Sequence, residues 1–140
     1  MKTRSLAILA ITALFAACAG TPGPGDSGYA FNANGLYTGG LDFQVVTLNG
    51  TIELTTGPGG AVTGTFSITQ PAPISGTLAG TIVGDQLTFE ITYGQNALTG
   101  CSGGTMKGTV TVSDGGSSLT GTVTADDCGT VIPGDMEFSR

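Results

Sequence analysis

A chain of 140 residues has room for one domain and little more. It contains no histidine, which excludes Ser-His and Cys-His nucleophilic catalysis and imidazole metal sites. Its formal net charge of −6 repels phosphate backbones and anionic headgroups, so nucleic acid is excluded as a partner.

The first twenty residues, MKTRSLAILAITALFAACAG, place Lys2 and Arg4 before an apolar run from Leu6 to Ala16 that ends in small residues. That is the anatomy of a secretory signal. The apolar run is shorter than the roughly 20 residues a helix needs to cross a bilayer, and no later stretch resembles a second span. Phe15, Ala16, Ala17 and Cys18 resemble the lipobox of bacterial lipoproteins, with Phe15 where that family usually has Leu. A signal peptide cut near Ala17 or Ala19 is the competing reading.

The resemblance implies that residues 1–17 are removed and that Cys18 carries a diacylglyceryl thioether and an acylated amine. Several acyl chains hold a protein far more firmly than one, so a membrane is the expected partner. Because Ala19 follows and not Asp, the family's sorting pattern implies the outer membrane of a bacterial envelope. Maturation leaves Lys107 and Arg140 against ten carboxylates, a net charge of −8. Attachment therefore falls to the lipid and not to basic residues.

Residues 18–33, with AGTPGPGDSG after Cys18, have the Gly/Pro composition of a flexible tether. The folded domain is expected over 34–140. From Gly35 onward the apolar period is two, and no stretch sustains a helical period. Gly35 to Val46 reads as a first strand with Tyr37, Gly39, Leu41, Phe43 and Val45 on one face; Asn49-Gly50 then signals a hairpin turn.

Further strands are expected over 51–56, 61–70, 74–83, 86–93, 104–113, 119–125 and 132–140. Each alternates apolar or glycine positions against Thr, Ser, Gln or charge. Eight such strands in series predict an all-β, antiparallel, up-and-down barrel.

The loops divide its two ends. Tight turns are expected at 57–60, 84–85 and 114–117, all at one end, while 71–73, 94–103 and 126–131 elaborate the other. With Cys18 taken by lipid, Cys101 and Cys128 remain as an even pair in an oxidising compartment, where a disulfide is expected. Both lie in loops at the elaborated end, about two strand spacings of roughly 4.8 Å apart.

Apolar residues face inward and threonines outward, the reverse of a transmembrane barrel; the expectation is a soluble barrel with an apolar interior. Eight strands enclose a space that side chains fill or that holds one small ligand, and both readings stay open. Candidate lining residues are Phe43, Phe66, Leu78, Leu87, Phe89, Met106 and Phe138, with inward glycines making room for the rings.

Gly35-Leu36-Tyr37 is similar to the Gly-x-Trp that opens lipocalin-like barrels, with Tyr in place of Trp. The resemblance implies that Arg140, at the end of the last strand, lies over the Tyr37 ring as a cation–π lid. More broadly, residues 35–140 resemble the Gly/Thr-rich β-barrel lipoproteins of bacteria. The absence of Trp argues against an avidin-like biotin box.

Asp126, Asp127 and Asp135 cluster near the last long loop, but their spacing matches no EF-hand, and they read as solvated surface acids. No metal, cofactor or catalytic residue is expected, and the chain is not expected to be an enzyme. Two functions follow: an envelope lipoprotein binding a small apolar ligand or lipid, or a structural or surface-interaction lipoprotein with a packed core.

Overall fold

A computed structural model describes residues 20–140; the expected signal peptide and Cys18 lie outside the described residues. Eight strands, β1 (Gly35–Asp42), β2 (Thr47–Thr56), β3 (Ala61–Gln70), β4 (Ile74–Val83), β5 (Gln86–Tyr93), β6 (Gly104–Val112), β7 (Ser118–Asp127) and β8 (Thr130–Ser139), follow one another along the chain. Each pairs antiparallel with the next, and β8 returns to β1, so the order β1 to β8 closes into a barrel. Among the described residues no helix is long and apolar enough to cross a membrane.

The alternation that defines each strand also fills the barrel. Tyr37, Ile52, Phe66, Leu78, Ile91, Val110 and Phe138 point inward and are buried. Threonines line the outer face of β3 to β7, with Glu90 and Lys107 bridged at 3.1 Å among them. Rings and glycines face each other across strands: Phe66 opposes Gly76, and Phe89 lies between Gly80 and Gly108. A methyl group on Gly108 would come within 2.7 Å of Phe89 Cζ, so the missing side chain is the space the ring occupies.

The seam is the weakest part of this closure. β1 meets β8 over Thr38–Asp42 alone, whereas β7 and β8 pair along their whole length. Backbone pairing there is supplemented by the Arg140 side chain, which donates to Asn34 O just before β1.

Three sequence expectations are corrected. The first turn lies at Phe43–Val46, not at Asn49-Gly50: Gln44 adopts a φ of 65°, its N–H donates to Asp42 Oδ1 at 3.0 Å, and Phe43 and Val46 close the turn at 3.0 Å. Val45 sits at its tip, 86% exposed, and not on the inward face. Asn49 and Gly50 instead form an irregularity within β2 where the register against β3 shifts. Asn-Gly suits either role, because both need backbone freedom that bulkier residues lack.

Second, the β7–β8 connection is short: Cys128 and Gly129, with φ of 53° and 81°, have the paired positive φ of a type I′ hairpin turn. Asp126, Asp127, Thr130 and Val131 belong to the strands.

Third, the described part of the expected tether packs against the barrel. Gly25 N–H donates to Asn32 Oδ1 at 2.8 Å, and Asn32 Nδ2 donates to Asp26 O at 2.8 Å, folding the segment on itself. It is fastened to the tight-turn end by Tyr29 Oη to Gly84 O at 2.8 Å, Gly115 N to Ala30 O at 2.9 Å, and Ala33 N to Thr56 Oγ1 at 2.9 Å. Tyr29 and Phe31, edge to face at 5.8 Å, pack against the core. Composition read as flexibility here; the polar and aromatic side chains between the glycines supply the contacts that order the segment.

Candidate functional site

At the tight-turn end the barrel is shut. Tyr37 is fully buried and donates to Gly116 O at 2.7 Å. The Arg140 guanidinium lies 5.4 Å from the centre of its ring and donates to Asn34 O at 2.7 Å and Gly115 O at 2.6 Å. Burial raises the Tyr37 phenol above its usual pKa, partly opposed by the Arg140 charge. Here Arg140 holds β8, the β6–β7 turn and the residue preceding β1 together.

The other end contains a cavity of about 150 Å³. Its walls come from Phe43 and Leu48 around the first turn, Ile74 at the start of β4, Met106 on β6, Ala125 on β7 and Ile132 on β8. Val45 and Leu98, which also touch it, are 86% and 43% exposed and mark its opening to solvent. A cavity of this size with apolar walls suits one ring or a short branched alkyl group.

Beneath the loop between β5 and β6 lies a polar cluster that forms the cavity's remaining wall. Asp127 is 5% exposed. Its Oδ1 accepts from Tyr93 Oη at 2.8 Å, and its Oδ2 accepts from Asn96 Nδ2 at 3.3 Å and from Thr99 Oγ1. Burial alone raises a carboxyl pKa, but the hydrogen bonds from Thr99, Tyr93 and Asn96 outweigh it and hold Asp127 below the usual carboxylate range. Tyr93 is pushed well above its ordinary value, by burial first and then by donating to Asp127.

The loop is organised around Asn96. Its backbone N–H donates to Cys101 O at 2.8 Å, Gly100 N–H donates to its carbonyl at 2.8 Å, and its Oδ1 accepts from Leu98 N–H at 3.0 Å. Cys101 is joined to Cys128, Cα to Cα 5.9 Å, so the long loop is tied to the β7–β8 turn. Disulfide and Asp127 cluster clamp the same segment from two sides.

The candidate lining residues therefore separate. Phe43 and Met106 reach the cavity; Phe66, Leu78, Leu87, Phe89 and Phe138 are buried in the filled barrel interior. Asp127 departs from the surface-acid reading. The inward alternation Leu119, Gly121, Val123, Ala125 carries on to Asp127 by simple parity, and that was the available signal. Asn96 and Thr99 lie in a loop with no periodicity, where sequence offers none.

Among the described residues no group of three or more metal-ligating side chains comes together. No protein-family model, curated protein or solved structure matches the chain.

Proposed function

We propose that this protein is a non-catalytic binding module of the bacterial cell envelope, lipid-anchored through Cys18 at the outer membrane, that takes a small apolar ligand at the mouth of its barrel. The observation that carries the ligand reading is the mouth cavity: its walls are apolar, it opens beside Val45 and Leu98, and the polar side chains beside it bond to one another. A groove that merely reflected poor packing would lack a loop built and cross-linked over it.

The anchor rests on the resemblance of Phe15 to Cys18 to a lipobox and on a mature chain with only two basic residues. The competing structural-lipoprotein reading draws on the barrel interior, where the Phe66 and Phe89 rings sit against the glycines they face, and leaves the mouth cavity without a role.

Native mass spectrometry of the protein purified from its host tests the ligand reading, together with titration by a single-ring probe such as benzene followed through methyl NMR signals of Ile74, Met106 and Ala125. Binding that shifts those methyls supports it. Repeated absence of both a co-purified species and probe binding overturns it. For the anchor, Cys18→Ser is expected to abolish lipid-dependent processing and release the chain from membranes; unchanged fractionation would overturn that part.

A further inference from the structure

Resting on the reading of the mouth as an apolar ligand site, we infer that the cavity is a socket for one unsubstituted hydrocarbon end, a single ring or a short branched alkyl group. That end enters first, and any polar part of the ligand stays outside the rim. Three observations carry this: how the polar wall is satisfied, how large the space is, and where it opens.

Tyr93, Asn96, Thr99 and Asp127 are the polar side chains of the cavity wall, and each is already engaged. Tyr93 Oη and Thr99 Oγ1 carry one proton each and give it to Asp127. Asn96 Nδ2 donates to the same carboxylate, and Asn96 Oδ1 accepts from Leu98 N–H. Thr99 Oγ1 also accepts from Cys101 N–H at 3.4 Å. Among the described residues no buried side-chain nitrogen or oxygen lacks a hydrogen-bond partner. A ligand hydroxyl or amine would give up water here and find no free partner. Displacing a donor from the buried carboxylate would cost more than the new bond returns, so polar atoms are kept out whatever their charge.

The space is about 150 Å³, walled by Phe43, Ile74, Met106 and Ile132. Apolar spaces of about this size accept a molecule as large as benzene, and a longer ligand must leave its remainder outside. The opening is flanked by Val45 and Leu98, both exposed. A chain leaving past them goes from apolar contact into water, where its polar group keeps its hydration. The cavity therefore reads shape and the absence of polar atoms at one end of the ligand.

The test uses the full chain carrying Cys18→Ser, so that no acyl chain of its own competes. It is titrated with toluene and phenol, which are alike in shape and differ by a methyl group against a hydroxyl, while Ile74, Met106 and Ala125 methyl signals are followed by NMR. Surroundings able to hydrogen-bond the hydroxyl would separate the two by up to about thirtyfold. Toluene is expected to bind tighter than phenol by more than that. 3-Phenylpropan-1-ol, whose hydroxyl can stay outside, is expected to bind and to show NOEs from its ring to Ile74 and Met106 and from its hydroxyl-bearing CH₂ to Val45 or Leu98.

A toluene-to-phenol ratio of about thirtyfold or less overturns the exclusion of polar atoms while the apolar-ligand reading stands. NOEs from the hydroxyl-bearing CH₂ to Met106 overturn the end-first entry and likewise leave that reading intact. If none of the three probes binds, both fall.

Discussion

Replacing Arg140 by alanine removes three interactions at the closed end at once. The guanidinium bonds to Asn34 O at 2.7 Å and Gly115 O at 2.6 Å and lies 5.4 Å over the Tyr37 ring. Hydrogen bonds to a charged group are worth about 1.5 to 3 kcal/mol when buried. These carbonyls lie where water can replace the donor, so about 0.5 to 1 kcal/mol each is the appropriate range. A partly exposed cation–π contact adds about 0.5 to 1 kcal/mol.

The expected loss is therefore about 2 kcal/mol, from pairwise values that add only approximately. For a domain of this size that lowers Tm by roughly 8 °C. It should appear in urea denaturation followed by far-UV circular dichroism as a lower midpoint with unchanged slope, because the closed barrel persists. Arg140→Lys keeps the charge but not the two-pronged geometry and should recover less than half the loss. A double-mutant cycle with Tyr37→Leu isolates the ring contact, with an expected coupling of about 0.5 to 1 kcal/mol. A loss below about 0.5 kcal/mol for Arg140→Ala, or full recovery by lysine, would refute the latch.

Removing the disulfide with Cys101→Ser and Cys128→Ser, 27 residues apart, should cost about 3.5 kcal/mol on the chain-entropy account; hydrogen exchange in residues 94–103 should rise with it, and an unchanged midpoint would contradict this. Gly108→Ala drives a methyl group toward Phe89 Cζ and the Thr122 carbonyl, both closer than 3 Å, and should lower stability by about 1 to 3 kcal/mol in thermal unfolding. Because the Asp127 pKa is lower folded than unfolded, its stabilisation is complete above about pH 4 and is lost as the pH falls through the folded value; Asp127→Asn should flatten that acid limb of a midpoint-against-pH curve. Tyr37 and Tyr93 are shifted the other way, so their contribution is complete below about pH 10 and is lost as the pH rises beyond it.

Where strands alternate strictly, from Ala61 to Val112, sequence and structure agree nearly residue for residue, because a one-residue slip would turn every ring to water. The errors fall where one residue type serves two geometries. Asn49-Gly50 has the chemistry of a turn and also of the β2 irregularity, and only the tertiary neighbour Ser67, whose carbonyl crowds Gly50, decides between them. Residues 20–33 are rich in Gly and Pro, yet Asn32 and Tyr29 bond to partners near and far in sequence, which local composition does not encode.

The candidate site was half visible. Phe43 and Met106 announce themselves by alternation, and Cys101 and Cys128 by counting. Asp127 was hidden by its charge, since an acid is expected in water until three donors are seen around it. The loop residues Asn96 and Thr99 come to it through the fold, with no period to betray them.

The N-terminal segment folds onto the closed end, with Pro24 and Gly25 against Gly57 and Gly60, and this gives the molecule a base and a rim. From Cys18 to Gly25 an extended chain reaches no further than about 25 Å. A lipid on Cys18, as proposed, would stand the barrel like a cup on a short stem, base toward the bilayer and opening turned away from it. Anything reaching such an opening would then come through the aqueous space and not by sliding out of the leaflet beneath.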